Sequence, residues 1–119
     1  MSAHDETGPV LTPAAFHILL ALAAGERHGY GIMREVEALA GGRVRLGPGT
    51  LYRSLQRLLA DGLIAEGGER PAADLDDERR RYYRLTDRGR RLAGAEADRL
   101  AQLVELARTR QLLATPGSQ

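Results

Sequence analysis

Near its end the chain carries an apolar stripe too long for the rest of it to cover. Leu92, Ala93, Ala97, Leu100, Leu103, Val104 and Ala107 recur at helical spacing, opposite Asp98, Gln102, Glu105 and Thr109. With Thr86 as N-cap the helix reaches Leu113 and is roughly 40 Å long at 1.5 Å per residue. A chain of 119 residues has room for one small domain. Three short helices upstream cannot span such a stripe, so its far end is expected to pack on a second copy in a symmetric dimer.

The upstream elements follow from their stop and start signals. Thr12-Pro13 reads as an N-cap and first helical residue, opening a helix that should stop near Gly25. Phe16, Leu19, Leu20 and Ala23 line one side of it and Ile18 and Leu22 the other. A helix apolar all round is covered on both sides, by a long helix of the same chain or by a partner. Phe16, Ile18 and Leu22 are therefore placed in the dimer interface with Leu92, Leu100, Leu103, Val104 and Ala107. A second helix is expected from Tyr30 to Ala40, with Ile32, Val36 and Leu39 inward and Gly41-Gly42 as its stop. Gly47-Pro48-Gly49-Thr50 opens a third, whose Leu51, Leu55, Leu58 and Leu59 form one face and which Gly62 ends. Leu63 to Glu66 and Arg81 to Leu85 are strand candidates, the second with Tyr83 and Leu85 on one face and Arg80, Tyr82 and Arg84 on the other.

Composition narrows the fold class. Leu and Ala supply 19 and 18 residues against 13 for Val, Ile and Thr together, which disfavours an all-β fold. The expected architecture is mainly α: a winged helix-turn-helix over residues 10–85, made of three helices and a two-stranded wing, then a dimerisation helix over 86–113. Polar tails, expected to be disordered, take up 1–9 and 114–119. Cysteine is absent, so no disulfide, Cys-based zinc site or thiol chemistry is available. No apolar run approaches the roughly 18–20 residues that span a bilayer, and His4, Asp5 and Glu6 stand where an export leader would be basic and then apolar. The cytoplasm, beside the nucleoid, is the expected location, with no membrane partner.

The formal charge of +1 is a cancellation of opposite runs. Four Arg and no acid lie between Arg43 and Arg57, seven acids accompany Arg70 between Asp61 and Glu78, and seven Arg accompany Asp87 between Arg79 and Arg91. Three helices followed by two strands is the order of a winged helix-turn-helix, in which the third helix enters the major groove and the hairpin touches the flanking backbone. The outward face of the third helix suits that role. Arg53 and Arg57 can donate to guanine edges or phosphates, Gln56 can bond adenine, and Thr50 can bond phosphate. Amides near Pro48 and Gly49 offer an anion-binding helix start. Tyr52 lies at the flank of the apolar stripe, where it can pack inward or reach a phosphate. Arg80 and Arg81 are placed in the DNA contact as part of the wing, with self-neutralisation by Asp74, Asp76, Asp77 and Glu78 as the competing reading.

These segments together resemble the PadR family of bacterial transcriptional regulators. The resemblance is carried by Leu19 through His28-Gly29-Tyr30, by Gly49-Thr50-Leu51-Tyr52 with Leu55, Leu58, Gly62, Leu63 and Ile64, and by Arg81-Tyr82-Tyr83-Arg84-Leu85-Thr86 with Gly89. It covers about residues 11–113. It implies a winged domain followed by a dimerising helix, and a dimer that represses nearby genes. Two copies of the third helix about one DNA turn, or roughly 34 Å, apart are expected to bind an inverted-repeat operator in double-stranded DNA. The resemblance places the DNA-contacting helix on Pro48 to Gly62, with Thr50, Tyr52 and Arg53 foremost, and the wing on Gly67 to Arg81. It also implies release by a small hydrophobic or aromatic effector, or by another signal that alters the dimer, although the residues themselves show no sensor and the chain has no Trp. The wing departs from the family in length and in its four acids, whose carboxylates oppose insertion between phosphates.

Other chemistries find no support in the residues. Gly42 and Gly47 are spaced like the glycines of a phosphate-binding loop, but Pro48 stands where lysine is required, and the chain contains no lysine. His4, His17 and His28 form no metal-ligand pattern, and His17 is expected as a satisfied interface residue. Ser54 has no neighbouring base, so no catalytic constellation, metal site or cofactor is expected. The competing functional reading is a small-molecule sensor or protein-interaction module on a winged-helix scaffold, with DNA binding secondary or absent.

Overall fold

The computed structural model describes residues 10–67 and 81–114. Within them the chain forms α1 (Pro13–Ala23), β1 (Arg27–His28), α2 (Gly29–Leu39), α3 (Pro48–Ala60), β2 (Ile64–Glu66), β3 (Tyr82–Leu85) and α4 (Asp87–Thr109). The core gathers the inner faces of these elements. Ile18, Leu19 and Leu22 of α1 meet Ile32 and Val36 of α2, Leu51, Leu55 and Leu58 of α3, and Leu63, Ile64 and Tyr83. Each fully buried aliphatic side chain contributes about 1.5–3 kcal/mol relative to exposure.

The start of α1 is as the sequence indicates: Thr12 Oγ1 accepts from the Ala15 amide at 3.0 Å, with Pro13 in the first turn. The helix is indeed covered on opposite sides, but by its own subunit, since α2, α3, α4 and β3 all touch it. Ile18 and Leu22 retain 0% and 2% of their accessible surface, which corrects their placement in a dimer interface. A side chain with no surface left in one copy has none to offer a second. Phe16 stays half-buried and Leu20 is exposed. His17 is satisfied within its own helix, its Nδ1–H donating to the Pro13 carbonyl at 2.7 Å.

The small sheet has three antiparallel strands in the order β1-β3-β2, not the expected two. Arg27 and His28 pair with Tyr83 and Tyr82, and Ile64, Ala65 and Glu66 pair with Leu85, Arg84 and Tyr83. The pleat turns Tyr83 into the core and Arg84 to solvent, as the alternation predicts. His28 does a second job, because its Nδ1 accepts from the Gly31 amide at 2.8 Å and so caps α2, which begins at Gly29. The ring also stands edge-on to Tyr82 with centroids 5.4 Å apart, tying the helix start to the sheet.

Gly62 ends the capping sequence of α3 with φ of 76°, where a β-carbon would be strained. Its amide bonds the Leu59 carbonyl and that of Leu63 the Leu58 carbonyl, both at 3.0 Å. After this turn the chain passes to the hairpin and then to α4, whose 23 residues span about 35 Å. Only Gly89 of α4 is buried, while Leu92 and Ala93 pack against the core from outside. The helix stops at Thr109, short of the expected Leu113, because Gln111 takes φ of 65° and the Leu112 amide closes back on the Ala107 carbonyl at 2.8 Å.

Candidate nucleic-acid interface

The outward face of α3 is built by what its inner face buries. Leu51, Leu55 and Leu58 keep 0%, 1% and 3% of their surface, which fixes the helix against the core and turns Gly49, Thr50, Arg53, Gln56 and Arg57 to solvent. Gly47 caps the helix with no side-chain bond, Pro48 occupies the first turn, and the Leu51 amide is the first to close on Gly47, at 2.9 Å. The amides of Gly49 and Thr50 precede that bond. They point along the positive end of the helix dipole, an arrangement that suits a phosphate oxygen.

The arginines on this face are lightly held. Arg53 lies 3.4 Å from Thr50 Oγ1, a long contact that a stronger acceptor replaces readily. Arg57 Nε lies 3.6 Å from Asp61 Oδ2, one turn on, with the arginine side chain 77% exposed. At such exposure an ion pair is worth little, so Arg57 can exchange Asp61 for a phosphate. Tyr52 is turned the other way. Its hydroxyl is buried and its ring packs against the core, so its aromatic body helps hold the helix in place.

Two features were not indicated by sequence. Val10, Leu11, Thr12 and Ala15 come alongside Arg53, Ser54 and Arg57 and enclose a groove of about 320 Å³ with Leu58, Asp61 and Leu63. On α2 Arg34 stacks over the Tyr30 ring at 5.7 Å, and both line a surface hollow with Arg45. The exposed Arg43 and Arg45 belong to the basic run already noted, but no periodicity ties Tyr30 or Arg34 to it.

In the hairpin, Arg81 pairs with Glu66 at 3.4 Å, so one wing arginine is matched by an acid of β2. Arg80 and the acids Asp74, Asp76, Asp77 and Glu78 lie outside the described residues. Along α4, Leu103, Val104 and Leu106 are 48%, 41% and 53% exposed, and Leu100 and Ala107 are half-buried. Glu96, on the same helix, is held below the usual carboxylate range by its hydrogen bond to Arg99. No helix among the described residues is long and apolar enough to cross a membrane.

Comparison with known proteins agrees with this geometry. The model of the PadR-like family of transcriptional regulators matches residues 18–95. The transcriptional regulator Rv3488 of Mycobacterium tuberculosis is 42% identical over 92 residues, 77% of each chain. An uncharacterized 37.1 kDa protein of a Streptomyces fradiae transposon is 42% identical over 86 residues, which are 72% of this chain and 22% of that longer one. Among solved structures, a PadR family regulator of Clostridium difficile superposes with a TM-score of 0.66 at 20% identity, covering 84% of this chain and 99% of its own. Bacillus subtilis PadR in complex with operator DNA superposes with a TM-score of 0.55 at 23% identity, over 70% of this chain and 46% of that one. These two likenesses concern the fold, and the family match and the identity with Rv3488 carry the assignment. The chain belongs to the PadR-like family of transcriptional regulators, DNA-binding winged-helix proteins and not enzymes.

Proposed function

We propose that the protein is a dimeric repressor that binds an inverted-repeat operator and blocks transcription by occupying it. One observation carries this reading: the solvent-facing side of α3 presents Thr50, Arg53, Gln56 and Arg57 with no acid among them. Arg53 and Arg57 bond guanine edges or phosphates, Gln56 bonds adenine, and the amides after Pro48, with the Thr50 hydroxyl, receive a phosphate. The solved complex of Bacillus subtilis PadR, a likeness in fold, with operator DNA supports an operator as the target. Arg80 and Arg81 touch the flanking backbone, and Arg81 must then leave Glu66.

Pairing of two copies through the exposed Leu103, Val104 and Leu106, with Leu100 and Ala107, places the two α3 helices about one DNA turn, or ~34 Å, apart. A small hydrophobic or aromatic effector would release the operator by favouring one dimer arrangement over another along the seam of α4 and α1. The location that follows is the cytoplasm, at the nucleoid. The deciding experiment is binding of a Thr50→Ala, Arg53→Ala, Arg57→Ala variant to the protein's own promoter. Loss of specific binding with retained fold is expected, and affinity equal to the unaltered protein's overturns the assignment.

A further inference from the structure

The turn that ends α3 is bound to the start of α4 at three successive carbonyls. Arg88 Nε donates to the Asp61 carbonyl at 3.0 Å, Thr86 Oγ1 to that of Gly62 at 2.7 Å, and the Thr86 amide to that of Leu63 at 3.1 Å. The Thr86 hydroxyl also accepts from the Gly89 amide at 3.0 Å, so one side chain both starts α4 and fastens it to the end of α3. Gly89 completes the joint by absence of bulk. A β-carbon there would lie 2.0 Å from the Leu63 carbonyl oxygen, so the two backbones meet with no space between them.

A single contact leaves a helix free to swing about it. Bonds to consecutive carbonyls, with a backbone-on-backbone approach beside them, remove both tilt and rotation. Gly89 is the one buried residue of α4, and beyond it Leu92 and Ala93 rest on the core while the helix runs against α1. The direction in which α4 leaves the domain is therefore fixed at its root here, at the end of α3, with the packing of Leu92 and Ala93 as the second constraint. Leverage makes the angle matter: over a helix of about 35 Å, a tilt of about 10° moves the far end by about 6 Å, more than one base-pair step of ~3.4 Å.

We propose that Thr86, Arg88 and Gly89 are positioning residues that turn the geometry of α4 into a choice of operator spacing without touching a base. This rests on the reading that two copies pair through α4. A purely structural role would lower stability and weaken every DNA alike. A positioning role changes which half-site separation is preferred and leaves the grip of one winged domain on one half-site intact.

The test measures affinity for a single half-site and for operators with the half-sites one base pair closer, at the natural separation, and one base pair further apart. The unaltered protein should favour one separation over its neighbours by about tenfold. Arg88→Ala should reduce that preference below threefold with half-site affinity unchanged, and Gly89→Ala, which pushes α4 off the Leu63 carbonyl, should move the optimum. If Gly89→Ala does not melt cooperatively, Arg88→Ala decides alone. A variant that keeps the original spacing preference, or that loses half-site affinity in the same proportion as operator affinity, overturns the inference. A flat spacing profile in the unaltered protein overturns the dimer reading beneath it, a different result from a flat profile in the variant only.

Discussion

Helices α1 and α4 are both rich in apolar residues and end up with opposite surroundings. α1 has apolar side chains on every side, and α2, α3, α4 and β3 close around it until Ile18, Leu19 and Leu22 have almost no surface left. α4 has a stripe with a charged back, buries Gly89, and leaves Leu103, Val104 and Leu106 near half exposure. Apolar content alone therefore does not mark an interface between copies. A short helix in the middle of a small domain can be surrounded by its own chain, whereas a 23-residue helix extends past everything it could pack on. The unpartnered stripe, about 41–53% exposed at these three positions, is the segment with apolar area to give to a second subunit.

The largest expected effect separates the two helices by what they stabilise. Leu22→Ala should cost the subunit about 2–5 kcal/mol, read as a lowered thermal midpoint, because it opens a cavity in the closed core. If Leu22→Ala instead keeps its midpoint and dissociates the protein, α1 and not α4 is the interface. Charges on the other helix should do the converse. Leu103→Asp with Leu106→Asp is expected to sediment as a monomer with a folded winged domain and to lose about a hundredfold in operator affinity as the two-site advantage disappears. A dimer in the ultracentrifuge would break the comparison from that side.

α3 was legible because its signals are local and agree with one another: Pro48 after Gly47 at the start, leucines at four- and three-residue steps, and Gly62 at the stop. α4 was legible for the same reason, apart from its end. β1 was not, since Arg27 and His28 have no alternation and pair with a strand more than fifty residues away. The start of α2 was missed by one residue because histidine is an unusual cap, and its role depends on the Gly31 amide meeting Nδ1. Which body covers α1 is a tertiary fact that periodicity does not encode. The same holds for Tyr52, whose position at the edge of the stripe fits either direction until packing places its ring. The joint of Thr86, Arg88 and Gly89 was half visible: Thr86 reads as a cap, but its bond to Gly62 and that of Arg88 to Asp61 cross the hairpin.

The smallest expected effect sharpens the contrast at the far end of α4. Gln111 sits at φ of 65°, a conformation that glycine adopts without strain. Gln111→Gly should stabilise the last turn by up to about 1 kcal/mol, seen as slower amide exchange at Ala107 and Thr109, with no change in the subunit core.

Two copies of one cationic helix face, held a fixed distance apart, are the centre of the proposed function. Hydroxyl-radical footprinting of the protein on its own promoter tests that most directly. Two protected patches related by a dyad, with centres about 10 base pairs apart, both lost when Arg53 and Arg57 are replaced by alanine, are the expected result. A single patch, or two patches that persist in the alanine variant, would contradict it.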